Sequence, residues 1–67
     1  MNNEELEFRK QLEKEFSQVW DTAEVQKDFE IISFLAPFCR AKRKNDGVEG
    51  TLCFSHRPRF YYDFVED

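Results

Sequence analysis

The apolar residues of this chain change their spacing once, and that change constrains the fold more than any other feature. Phe8, Leu12, Phe16, Val19, Trp20 and Ala23 recur at steps of three and four. That period places them on one stripe of a helix. From Phe29 onward the run "FEIISFLAPF" is rich in β-branched and aromatic residues, which suit a pleated sheet. A chain that is helical first and extended afterwards has to lay its helix on its sheet. The expected class is α+β: one N-terminal amphipathic helix packed on one face of a small antiparallel meander of three to four strands, in the order α-β-β-β.

The boundaries follow from local chemistry. Asn2 or Asn3 caps a helix over about residues 3–23, and Glu4, Glu5 and Glu7 sit where the helix dipole favours negative charge. The stripe faces the core, with Phe8 and Trp20, nearest its ends, the most open to a partner. A polar hinge at Gln26–Asp28 leads into strands over about 29–35, 38–44, 50–56 and 59–65, the first bent or broken near Pro37, which cannot donate to a sheet ladder. With no repeats or long linkers, residues 1–67 read as a single domain.

Asp46-Gly47 is a hairpin signal, because a two-residue type I′ turn needs positive φ at both central positions. Centred there, the turn pairs Lys42 with Thr51, Ala41 with Leu52 and Cys39 with Phe54. Cys39, Ala41, Leu52, Phe54 and His56 then share the apolar face, and Arg40, Lys42, Lys44, Glu49, Thr51, Cys53 and Ser55 the other. Both glycines, Gly47 and Gly50, are assigned to the turn. In the last strand Phe60, Tyr62 and Phe64 are the core residues, which leaves Arg59 and Tyr61 on the wet face. Arg40, Lys42, Lys44, Cys53, Arg57, Arg59 and Tyr61 form the candidate interaction surface: a basic sheet face with one aromatic.

The same alternation argues against several chemistries. Cys39, Cys53 and His56 do not converge, so neither a structural metal site nor a Cys39–Cys53 disulfide is expected. His56 reads as a packed residue, and it faces away from Cys53, which removes the pairing that would activate a thiol. There is no Gly-rich phosphate loop. No catalytic residue, metal or cofactor is expected, and the chain does not read as an enzyme.

Composition narrows the remainder. A chain of 67 residues buries only about 60% of its unfolded surface, so eight Phe, two Tyr and Trp20 are a generous apolar supply, some of it available to an interface. Two thiols without an export signal fit a reducing, cytoplasmic setting. The longest apolar run, Phe34–Cys39, is six residues and holds Pro37, so no membrane span is expected. The net charge of −4 conceals an asymmetry, with nine acids and four bases in residues 1–38 against two acids and six bases in 39–60. The expected function is a non-enzymatic protein-interaction or regulatory module, an adaptor or inhibitor of the size common among small bacterial and phage proteins. Its partner is a protein, or a second copy joined through an exposed strand edge. The alternative is single-stranded nucleic acid, with the basic side chains on phosphates and Tyr61 stacked on a base.

Overall fold

Trp20 and Val19, placed by their spacing on a long first helix, instead form a strand. A computed structural model describes residues 3–67; Asn2, one of the two expected caps, lies outside the described residues. The first helix, α1, covers only Asn3–Glu15. A second, α2, covers Thr22–Asp28. Between them lies the two-residue strand β1, Val19–Trp20. The division is written in "DTAE". Asp21 accepts a hydrogen bond from the Glu24 amide at 2.7 Å, and Glu24 Oε1 accepts one from the Asp21 amide at 2.9 Å. This capping box holds Asp21 extended, at φ −84° and ψ 179°, so no helix can run through it. The expected helix over 3–23 is therefore two helices, and the expected hinge at Gln26–Asp28 is the last turn of α2.

Four further strands follow: β2 (Phe29–Leu35), β3 (Phe38–Arg43), β4 (Glu49–Phe54) and β5 (Tyr61–Glu66). The expected α+β class and antiparallel meander are present, but β1 adds a fifth strand and the spatial order is β1-β5-β4-β3-β2. The chain turns between β2 and β3 at Ala36-Pro37, where Leu35 pairs with Phe38. Between β4 and β5 it turns through 55–60. No described helix is long and apolar enough to cross a membrane.

The two helices serve opposite faces of the sheet, which is why both residues of β1 are buried. Val19 pairs with Tyr62 on one face and Trp20 with Tyr61 on the other. On the first face Leu12, Val19 and Phe60 form a core joined by Phe8, Phe16 and Tyr62. On the second, Trp20, Val25, Phe29, Cys39, Ala41, Leu52 and Tyr61 form the other core. Trp20 meets Phe29 edge-on at 5.1 Å and donates its indole N–H to Asp28 at 2.9 Å, so a large ring is buried without an orphaned donor. Trp20 is thus a core residue, and Ala23 is exposed.

Two details of the sheet depart from simple alternation. The β3–β4 register pairs Cys39 with Leu52 and Ala41 with Gly50, two residues from expectation. The turn is a four-residue loop in which the Gly47 amide bonds to the Arg43 carbonyl at 2.7 Å, and only Gly47 has positive φ, at 74°. Type I′ needs Asp46 there too; Asp46 instead accepts from the Val48 amide and from Arg43. A shift of two preserves parity, so Cys39, Ala41 and Leu52 share the buried face and Arg40 and Lys42 the exposed one.

The second departure reverses parity. β5 carries an extra residue between its pairs with Thr51 and Cys53, and Asp63 there adopts φ 57°. The bulge lets Tyr61 and Phe64 both face the α2 side. Tyr61, expected on the wet face, is 3% exposed, while Tyr62 packs on Phe16 at 4.8 Å across the sheet. Phe64 lies over Gly50, where a Cβ would stand 2.3 Å from the Val65 carbonyl oxygen and 2.8 Å from the Phe64 ring. Gly50 therefore answers a close approach of β5, and not the turn.

Candidate interaction site at one end of the sheet

The basic residues expected to share one surface are dispersed among different environments, and Arg40 is held by carboxylates of this chain. Arg40 makes a two-pronged contact with Asp67 and lies 3.6 Å from Glu49. This holds the Asp67 carboxyl below the usual range. Lys42 sits between Glu30 and Glu49 on the neighbouring strands. Lys44 donates to the Gln26 carbonyl at 2.6 Å, at the end of α2. Arg43 pairs with Asp46 at 2.8 Å and Glu66 at 3.2 Å, and its hydrogen bonds, with help from the Val48 amide, lower the Asp46 carboxyl. Tyr61 is buried on the opposite face. Cys53 is half-buried opposite Phe38 and Tyr62.

Arg57 and Arg59 belong to a different environment. The β2–β3 turn and the β4–β5 loop lie at the same end of the sheet and are joined by a hydrogen bond from the Phe54 amide to the Pro37 carbonyl, 3.0 Å. Ser55 fixes the loop: its Oγ donates to the Pro58 carbonyl at 2.6 Å and accepts from the Phe60 amide at 2.9 Å. His56, expected on the apolar face, is exposed in this loop. Pro58 thus lies in a turn into a new strand.

The Arg59 guanidinium lies over the Phe54 ring at 4.9 Å and near the Phe34 ring at 6.0 Å. One terminal nitrogen donates to the Tyr61 hydroxyl at 3.3 Å, and the other is 3.1 Å from His56 Nδ1. Its Nε is buried without a hydrogen-bond partner among the described residues. At this end apolar side chains stand in solvent on both faces of the sheet: Phe34, 55% exposed, lies on the Arg59 face, Leu35 (80%) and its partner Phe38 (47%) lie on the other, and Ile32 (49%) sits at the bulge. Neither 31–45 nor 50–62 contains an Asp or Glu, so both segments forming this end are apolar and cationic.

The exposed apolar residues are those that the strand reading assigned no role. Their signal was the failure of alternation in "IISFLAPF". Such a run means burial on both faces, or an apolar surface wanting a cover. The bulge at Ile32 and the edge position of β2 select the second.

Other parts of the molecule offer less chemistry. A groove of about 770 Å³ between the helix ends and the β3–β4 turn is lined by Trp20, Phe29, Arg43, Lys44 and Phe64 among others. Its Trp20, Arg43 and Lys44 donors are already engaged. Cys39 and Cys53 are free and on opposite faces. Burial pushes both thiols up, away from the reactive thiolate. Among the described residues no group of three or more His, Cys, Asp or Glu could hold a metal ion. Compared with protein-family models, curated proteins and solved structures, the chain matches none.

Proposed function

We propose that this chain is a non-enzymatic protein-interaction module whose partner covers the apolar and cationic end of the sheet. The exposure of Ile32, Phe34, Leu35 and Phe38 together supports this reading. They flank the β2 edge on both faces of the sheet, so a partner that wraps this edge would cover apolar surface on each side. In a chain of 67 residues with a small core, apolar area left in water is area withheld from folding. The edge strand β2 adds unpaired backbone groups beside the patch. Self-association through the same edge is one form of this function.

The test compares the wild-type domain with a Leu35→Asp/Phe38→Asp variant as baits in extract of the native host, after circular dichroism has shown equal folding. The expected result is one protein, or a second copy, retained by the wild type and lost by the variant. Equal retention by both, or none, overturns the proposal. Single-stranded nucleic acid retained at about 0.15 M salt, where steering by exposed charge is largely screened, favours the alternative, with Phe34 and Phe38 replacing the buried Tyr61 as stacking surfaces.

A further inference from the structure

We infer that Arg59 is the receptor for a carboxylate on an extended acidic segment of a partner protein, laid along the free edge of β2. The inference rests on the interaction reading above and names the chemistry of the partner. The chain has five arginines. Three face carboxylates: Arg9 lies 2.8 Å from Glu24 and near Glu13 and Asp21, Arg40 meets Asp67 and Glu49, and Arg43 meets Asp46 and Glu66. Among the described residues Arg57 and Arg59 face none, and Arg59 is the half-buried one. Its neighbours are two phenyl rings, a phenol and an imidazole, with no carboxylate among them.

A half-buried cation that no described carboxylate meets is preorganised for an anion. Each terminal nitrogen carries two N–H groups and uses one on Tyr61 or His56, which leaves one on each for a two-pronged carboxylate. The rings of Phe34 and Phe54 fix the plane of the fork, so little side-chain freedom remains to be lost on binding. Phe34 lies on β2, the terminal strand of the sheet, so the guanidinium is within one side chain of an edge that can accept another strand. Successive residues of an added strand alternate between faces, and acidic residues on the Arg59 side meet a surface with no acid of its own.

The register excludes a second copy as the source of the carboxylate. The only acid in β2 is Glu30, which pairs with Lys42 and shares its face, whereas Phe34 pairs with Cys39 on the face bearing Arg59. A two-fold, antiparallel joining of two β2 edges keeps like faces together, so Glu30 of the partner subunit would lie on the side away from Arg59. A nucleic acid has no peptide backbone to add to the edge, and the net charge of −4 opposes a polyanion more than a short peptide.

The experiment titrates the ¹⁵N-labelled domain with two acetylated, amidated peptides, one of alternating valine and glutamate and one of valine and glutamine, in wild type, Arg59→Gln and Arg59→Lys. Melting curves establish that each variant folds. Expected are saturable shifts of the Phe34 and Leu35 amides and of the Arg59 Nε–H, with the glutamine peptide bound about tenfold more weakly. Arg59→Gln should abolish the difference between the peptides, and Arg59→Lys, a point charge without the fork, should retain only part of it. Wild type that binds both peptides equally, or discrimination that survives Arg59→Gln, overturns the inference while leaving the patch its partner, because Leu35→Asp would still weaken both. Binding of neither peptide, a dimer that Arg59→Gln dissolves, or capture instead by phosphatidylserine vesicles also overturns it.

Discussion

The two ends of this sheet use the same residue types in opposite ways. At the end that holds the β3–β4 turn, Arg40 and Arg43 are met by Asp46, Glu49, Glu66 and Asp67, and the rings of Phe29 and Phe64 pack 4.9 Å apart beside α2. At the other, Arg57 and Arg59 have no carboxylate among the described residues, and Phe34, Leu35 and Phe38 stand in water. The difference is one of chain supply. Helix α2 ends beside the first turn and brings a cover with it; at the second end α1 covers Phe60 through Phe8 and Arg9, while Phe34, Leu35 and Phe38 stay exposed. A small fold thereby finishes its core at one end and leaves the materials of a core uncovered at the other.

The contrast between covered and uncovered side chains is tested most sharply by two substitutions, one of each kind. Leu52 is fully buried, so Leu52→Ala should cost roughly 2 to 5 kcal/mol, much of the stability of so small a domain. Leu35 is 80% exposed, and Leu35→Ala should change stability by no more than about 0.5 kcal/mol. Denaturant midpoints measure both. Comparable losses would mean that Leu35 is covered in the free protein, and the contrast would fail.

Glycines at the packed end give the next largest effect. Gly50→Ala drives a methyl group into the Val65 carbonyl and the Phe64 ring and should cost about 1 to 3 kcal/mol. Gly47→Ala meets nothing nearer than Lys42 Cε at 3.7 Å, so its cost comes only from the φ of 74° and should be on the order of 1 kcal/mol. A larger loss at Gly47 than at Gly50 would contradict the closeness of β5 to β4.

Acid should weaken the packed end through two carboxyls, with the smallest effect. Arg43 and the Val48 amide lower the Asp46 carboxyl, and Arg40 lowers that of Asp67. The folded state therefore binds these protons less readily than the unfolded chain. The stability they contribute is present above the ordinary carboxylate range and is lost as pH falls through the lowered values. The melting difference between wild type and Asp46→Asn/Asp67→Asn should be largest at neutral pH and vanish in strong acid. A constant difference would mean that these pairs contribute nothing through charge.

Much of the fold was legible in local sequence. The four strands from Phe29 onward followed from β-branched content and turn residues, and the burial of Cys39, Ala41 and Leu52 followed from parity, which a register error of two cannot disturb. The break in the first helix was also legible, because Asp21 and Glu24 have the spacing of a capping box; the apolar stripe running past Glu15 concealed it. The candidate site was less so. Arg57 and Arg59 were singled out by charge, but in company with Arg40, Lys42 and Lys44, whose neighbours Asp67, Glu30 and Gln26 come from distant segments.

Sequence by itself determined the α+β class, the antiparallel order of the meander and the parity of the central hairpin, because these depend on spacing, propensity and turn chemistry within a few residues. Tertiary structure alone decided which of Tyr61 and Tyr62 faces which helix, and where the uncovered end lies. A single bulge at Asp63 exchanges the faces of a strand, and it forms where β5 closes over Gly50. Exposure of Phe34 and Leu35 likewise depends on where α2 stops. Both are set by contacts between segments far apart in the chain, which the local pattern around each residue does not contain.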